Sequence, residues 1–282
     1  MSAADQAIEG LLRDPAQRRL AVLLDGLAAE LRACSPVATM EDIPARRWAD
    51  LWARAVLLSH ATPQPADPET VSGRLLILGV DLHEHATAVQ AQVHAVLEPQ
   101  GRLVRASVTA AKVDTITDQA VWGLFSDHPV LMGALAKNLT LDVTDLPLVG
   151  GDLRWDEAKA KVGELANPFT TARVQLAEAV TTAITPLDRH PVMIGEPVLV
   201  EGYTVKDGAI HLGGHALAVE GDLPRSTACI GLLRWDAGQW SLRPLAVQTK
   251  SKTTHNGDNA LNPGKSDAVG VLRERAGRLL RK

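Results

Sequence analysis

The sequence predicts an α+β protein: an N-terminal helical segment, then antiparallel strands in two blocks, roughly 74 to 110 and 197 to 248, separated by helices. Three observations lead there. Before residue 60 apolar residues recur every three or four positions, the period of a helix with one packed face. From Arg74 the period changes to a continuous apolar run and then strict alternation. After Pro197, an Asp-Gly pair sits between two strand-like runs. The two blocks can form one sheet or barrel, or two small domains; the sequence leaves that choice open.

In "QRRLAVLLDGLAAELRAC", Leu20, Leu24, Leu27, Leu31 and Cys34 fall at steps of four and three, one stripe on a helix. "IPARRWADLWARAVLLSH" predicts a second helix, with Trp48, Leu51, Trp52, Ala55, Val56 and Leu58 on one side and Thr39 and Asp42 as its capping signal. The prolines of "ATPQPADPETVSG", residues 61 to 73, read as a linker. "RLLILGVDL" then has the pattern of a strand covered on both faces. In the next strand Val89, Ala91, Val93, Ala95 and Leu97 alternate with their neighbours, and Pro99-Gln100-Gly101 turns the chain into "RLVRASVTAA", completing a meander.

Helices are expected between about 115 and 185. The clearest is "NPFTTARVQLAEAVTTAITP", with Asn167 as N-cap, Pro168 in the first turn and Pro186 at the far end. A shorter one is expected around Trp155 to Leu165, after the break at Gly150-Gly151. Farther on, Asp207-Gly208 predicts a two-residue hairpin, and "CIGLLRWDAGQWSLRPLAV" a second one flanked by Trp235 and Trp240. The expected divisions are a helical segment over 1–62, a meander plus helices over 72–190, an antiparallel β block over 191–250, a flexible loop over 251–268 and a basic amphipathic helix over 269–282.

Composition narrows the function classes. The 282 residues are 46% hydrophobic and 22% charged, enough to bury a core without disulfide or metal. A net charge of −4 argues against a wholly basic nucleic-acid-binding surface, so nucleic acid is not the expected partner. Two isolated cysteines, Cys34 and Cys229, make neither a disulfide framework nor a zinc motif. The N-terminus lacks the apolar run of a signal peptide, and no stretch approaches the roughly 20 apolar residues of a membrane helix. The expectation is a soluble, cytoplasmic protein with no membrane attachment, so the sequon Asn138-Leu139-Thr140 carries no weight.

Few residues suggest chemistry. His83 and His85 share a face in extended chain and can both reach one ion; further ligands would have to come from His211 or His215. Polar residues at a hairpin end account for His83-Glu84-His85 without a metal, and that reading is favoured. Gly264-Lys265-Ser266 mimics the end of a phosphate-binding loop, but the first glycine of that motif would fall at Asn259 and no buried strand leads in. There is no nucleophile elbow, and Asp142 and Asp145 are read as turn formers. No catalytic or cofactor-binding residue is assigned, and no cofactor is expected. Trp235 and Trp240 are read as a cross-strand pair rather than a base-stacking platform. In the last segment, Val269, Leu272, Ala276 and Leu279 form a stripe while Arg273, Arg275, Arg278, Arg281 and Lys282 supply charge, so those arginines are the candidates for partner binding.

"LHEHATAVQAQVHAVLE", "HPVMIGEPVLVEG" and "LLRWDAGQWSLRPLAV" resemble segments of uncharacterised actinobacterial proteins that accompany SWIM zinc-finger proteins, MoxR-type ATPases and von Willebrand-type domain proteins. The likeness covers the two β blocks. It implies a place in a multi-protein system rather than a chemistry, and the zinc-binding pattern of a SWIM motif is absent. The expected function is a non-enzymatic binding or adaptor protein with another protein as partner. The alternatives are a metal-assisted hydrolase using a histidine cluster and a nucleic-acid-binding accessory protein.

Overall fold

The structure, a computed structural model, describes residues 3–14, 17–33, 36–39, 45–60, 68–84, 88–111, 118–170, 180–181, 193–220, 223, 225–236, 239–250 and 254–256. Contacts divide the chain into two units: Met1–Ala66, Ile184–Ile194 and Arg234–Trp240 in one, and Asp67–Ala183, Gly195–Leu233 and Ser241–Lys282 in the other.

In the first unit, α1 (Ala3–Leu12) packs on α2 (Arg18–Ala33), and α2 on α3 (Ala45–His60), with a 3-10 turn at Val37–Thr39. Leu20, Ala21 and Leu27 of α2 are buried, as the helical period requires, but Leu31 of the same stripe is exposed, and Cys34 at its end lies outside the described residues. In α3 only part of the expected stripe packs. Ala55 is buried and Trp48, Leu51 and Leu58 are half-buried, whereas Trp52 and Val56 are 61% and 40% exposed. A broad stripe fixes which residues share a side but not how much of that side meets a neighbour. Arg54 is buried instead, with Nε 2.6 Å from Asp50 Oδ2 one turn earlier.

The second unit carries two sheets. β1 (Glu69–Glu84) pairs antiparallel with β2 (Ala88–Glu98), and β2 with β3 (Arg102–Ala111), the expected meander. β1 starts five residues before Arg74, because the proline-rich stretch ends at Pro68. A 3-10 segment (Asp118–Phe125) and α4 (Pro129–Lys137) follow, then β4 (Leu139–Val149) and β5 (Asp152–Leu153). β4 returns to β1, and β5 runs parallel to β3, so β1-β2-β3-β5-β4 close into a five-stranded ring. This is a Greek-key barrel of the OB type. The β3–β5 seam is two residue pairs long and is stapled by Arg105, which grips Asp152 through Nε (2.8 Å) and Nη2 (2.9 Å).

Val89, Ala91, Val93, Ala95 and Leu97 of β2 point inward with Leu75 and Ile77 of β1 and Leu141 and Val143 of β4. Trp122, Phe125, Leu131 and Leu135 from the helical segment join the same core. Glu157 caps α4 from outside that helix: its carboxylate accepts from the Val130 N–H (2.9 Å), the Leu131 N–H (3.3 Å) and Trp155 Nε1 (2.9 Å). An acid at a helix N-terminus satisfies orphan donors and meets the positive end of the dipole.

The helix expected around Trp155 to Leu165 is not formed. A 3-10 turn at Glu157–Lys159 leads into β6 (Ala160–Leu165), which pairs with β4. Gly150 and Gly151, with φ of 56° and 89°, are the turn of the β4–β5 hairpin. "DEAKAKVGEL" has helical propensity, but the available edge of β4 outweighs it. Likewise the helix expected to run from Asn167 to Pro186 cannot pass through β7 (Val180–Thr181), which pairs with β3. Its start is as expected: the Phe169 N–H donates to Asn167 Oδ1 at 2.9 Å, and residues 168–170 are helical. The remainder lies outside the described residues.

The second sheet has the order β8 (Met193–Glu201), β12 (Ala228–Asp236), β13 (Gln239–Gln248), β11 (His215–Val219), β10 (Ala209–Leu212), β9 (Thr204–Lys206), with β14 (Thr254–Asn256) added to β13. Asp207-Gly208 makes the predicted turn, both at positive φ (52° and 73°). β14 falls inside the stretch expected to be a loop. By hydrogen bonds this sheet is open, yet its two end strands, β8 and β9, are consecutive in the chain with only Gly202 and Tyr203 between them. If β8 and β9 are taken as one broken strand, the order repeats that of the first ring, including a parallel contact, β11 on β13. Its core holds Val200, Tyr203, Ile210, Cys229, Leu242 and Val247.

The fold is thus α+β with strands in two blocks. The strands are mostly antiparallel, with parallel contacts at β3–β5, β3–β7 and β11–β13.

Candidate functional site

Among the described residues, polar chemistry gathers on the outer face of β1, β2 and β3. Because Val80, Val93 and Ala106 point inward, their strand neighbours point out. Two rows result from the register: Asp81–Gln92–Ser107 and His83–Gln90–Thr109. Gln92 Nε2 donates to Gln90 Oε1 (2.8 Å), and Gln90 Nε2 to Thr109 Oγ1 (3.4 Å), so a directed hydrogen-bond chain runs along β2 and crosses to β3. In OB-type barrels the face of the second and third strands is the usual ligand platform.

Asp81 is the hub. It is 1% exposed, and a carboxylate so deeply buried must be paired. Arg243 of β13 donates through Nε to Asp81 Oδ1 at 2.8 Å, through Nη2 to the Leu82 carbonyl at 3.2 Å, and through Nη1 to the Glu220 carbonyl at 3.3 Å. The other carboxylate oxygen, Oδ2, lies 3.0 Å from His83 Nε2. That contact has the length of an ion pair but lies off the line of a straight hydrogen bond. Burial alone would raise the Asp81 carboxyl; His83 and Arg243 together outweigh it and hold the group well below the usual carboxylate range. The carboxylate is therefore ionised, and it faces an imidazole whose far edge reaches solvent.

Below these rows the outer face is apolar. Leu76, Leu78 and Val96 are fully or almost fully buried although none belongs to the barrel interior, and Gly79 abuts Leu245 of β13. β13 thus lies directly over this part of β1. On the other side of the barrel, a shallow hollow is lined by Gly73, Arg74, Glu98, Pro99 and Asp142. There Arg74 Nε meets Asp142 Oδ1 at 3.2 Å, which holds the guanidinium above its ordinary value. Asp142 is thus a strand residue in an ion pair and not the turn former expected; Asp145, with φ of 53°, does sit in an irregularity of β4.

Of the histidines singled out in the sequence, His83 lies at this hub and His85 lies outside the described residues. His211 and His215 do not converge: in the β10–β11 register His211 faces Ala216 while Leu212 faces His215, so the two imidazoles project from opposite faces. Among the described residues no group of three or more His, Cys, Asp or Glu is placed to hold an ion. Arg273, Arg275, Arg278 and Arg281, and the Gly264-Lys265-Ser266 stretch, lie outside the described residues. Trp240 is exposed, and Cys229 is buried and free. The pairing of Arg243 with Asp81 was not foreseen, since the two are 162 positions apart. A signal for Asp81 was present: a lone acid inside the apolar run "RLLILGVDL" has to find a cation.

A second surface belongs to α3, where Trp52, Val56 and Leu57 are 61%, 40% and 56% exposed within two turns. Among the described residues no helix is long and apolar enough to cross a membrane.

No family model and no curated protein matches the chain. Among solved structures it is similar to the Ifi202 HINa domain crystallised with a 20 bp double-stranded DNA, at 14% identity, covering 62% of this chain and 94% of that one. The TM-score is 0.27, and a superposition that loose says nothing about what this chain binds.

Proposed function

We propose that this protein is a non-enzymatic adaptor that engages a protein partner through the exposed face of α3. The observation that carries the reading is the cluster Trp52, Val56 and Leu57, apolar side chains left in water on a helix whose Ala55 and Arg54 are buried. Contiguous exposed apolar surface marks interaction sites, and tryptophan is the residue most enriched where interface energy concentrates. An adaptor also needs a second surface on another body, and the polar rows of β1–β3 supply one in the other unit. The resemblance to proteins that accompany multi-protein ATPase systems fits the same reading.

The test is affinity capture from native lysate with the full chain and with a Trp52→Glu, Val56→Glu variant, both checked for unchanged far-UV circular dichroism. The expected result is a discrete partner retained by the wild type and reduced about 30-fold or more in the variant, the loss typical of a central tryptophan worth about 2 kcal/mol or more. Equal retention by both proteins, or none by either, refutes the adaptor reading.

A further inference from the structure

We infer that β6 is a self-association edge, pairing antiparallel with β6 of a second copy of this chain to close a two-fold dimer. β6 hydrogen-bonds to β4 on one side, and among the described residues no strand pairs with its other side. An uncovered edge presents a row of backbone N–H and C=O groups to any strand that can approach. This edge is also apolar. Val162 and Leu165 are 45% and 78% exposed, and Leu165 is the most exposed large apolar side chain among the described residues.

The order of charges along the strand selects a second copy as the occupant. In "AKVGEL", Lys161 and Glu164 stand three apart. In an unbroken strand such residues point to opposite faces. β6, however, carries one extra residue against β4, between the pairs Leu141–Val162 and Leu139–Leu165. Leu139 and Leu141 face the core, so Leu165 and Val162 point that way too. Lys161, opposite Asp142, and Glu164, next to Leu165, therefore share the outer face, and both are exposed there. Glu164 lies on that face within electrostatic reach of Arg74. Laid antiparallel on itself about an axis midway between Val162 and Gly163, the strand sets Lys161 opposite Glu164 of the second copy. The symmetry repeats that pair in reverse. Val162 then meets a glycine, and Leu165 comes to lie beside Ala160 of the second copy. Registers centred on Lys161 or on Glu164 set like charges against each other, so charge fixes the alignment. An edge lysine and a bulge ordinarily keep other strands away, whereas a copy of the same strand matches both. Such a contact uses the edge of each copy once, so association stops at the dimer. This inference does not depend on the α3 surface and reaches beyond the adaptor reading.

The experiment is analytical ultracentrifugation of the untagged full chain over about 1–100 μM, the range of a modest specific contact. Wild type is compared with Lys161→Glu, Glu164→Lys and the double variant, each checked for unchanged circular dichroism. The expected result is a wild-type monomer–dimer equilibrium, with the dissociation constant raised about tenfold or more in each single variant. Each single change turns both opposite-charge pairs of the dimer into like-charge pairs. The double variant restores complementarity, and so does an equimolar mixture of the two single variants, so both are expected to dimerise. The Trp52→Glu, Val56→Glu variant is expected to dimerise as the wild type does, which separates this edge from the α3 surface. The inference is overturned if the wild type stays monomeric throughout, or if both single variants associate as tightly as it does. It is equally overturned if neither the double variant nor the mixture restores the dimer, or if the α3 variant abolishes it.

Discussion

Gly79 is the position where the described geometry is least tolerant of change. A Cβ there would lie 2.4 Å from the Leu245 carbonyl oxygen, 2.5 Å from its carbonyl carbon and 2.8 Å from its Cβ. Two of those atoms are backbone in the middle of β13, so no side chain can rotate away. The backbone at Gly79 has φ of 148°, a conformation that residues with a side chain rarely adopt. In Gly79→Ala one strand must therefore back off the other, stretching the hydrogen bonds from Arg243 to Asp81 and Leu82. Overpacking costs about 1–3 kcal/mol and the glycine-only backbone conformation about 1–3 kcal/mol more, so the expected loss is about 2–6 kcal/mol. In urea, with a slope of about 2 kcal/mol/M, the midpoint should fall by about 1–3 M. Gly133→Ala is the control, since nothing lies within 4 Å of its added Cβ in α4, and it should gain about 0.5–1 kcal/mol from helix propensity. A Gly79→Ala midpoint within the error of wild type would refute the close contact of β1 with β13.

Other expectations follow from the same geometry. Arg243→Ala strips the buried Asp81 carboxylate of its cation and should cost about 3–5 kcal/mol, read as a drop in urea midpoint; a loss under 1 kcal/mol would show that the acid is not held as described. Glu157→Ala removes the acceptor for the first turn of α4 and should cost about 1–2 kcal/mol, with amide exchange at Val130 and Leu131 accelerated; unchanged protection there argues against the cap. Burial pushes the Cys229 thiol and the Tyr203 phenol up to about 12, so the folded chain keeps protons that the unfolded chain releases from about pH 9 upward. The stability these groups confer is complete below that point and declines between about pH 9 and 12. Urea midpoints at pH 8 and pH 10.5 should show the decline, less steep in Cys229→Ala, and a flat profile would contradict it.

Where local chemistry decides the structure, the sequence was readable. Alternation in β2 names its inward residues, and Asp207-Gly208 names a turn because both positions need positive φ. Where a partner strand decides, it was not. The residues of β6 would serve a helix equally well, and only the edge of β4 makes them a strand. Gly150-Gly151 signalled a break in the chain correctly but could not say that the chain folds back on itself there. In α3 the helical period groups Trp52 with Leu51 and Ala55, yet what covers that group is a matter of tertiary contact. Of the polar hub, His83 was visible in the sequence, while Asp81 and Arg243 meet only when β13 is in place.

The order in which the chain is made gives the contact of β13 with β1 a further meaning. The stretch of β1 around Gly79 leaves the ribosome well before Leu245 exists to lie against it. At about 5–20 residues per second, the nascent first barrel waits on the order of ten seconds with that stretch uncovered. For that interval it is a natural client for a holding chaperone, and truncation anywhere before β13 makes the exposure permanent.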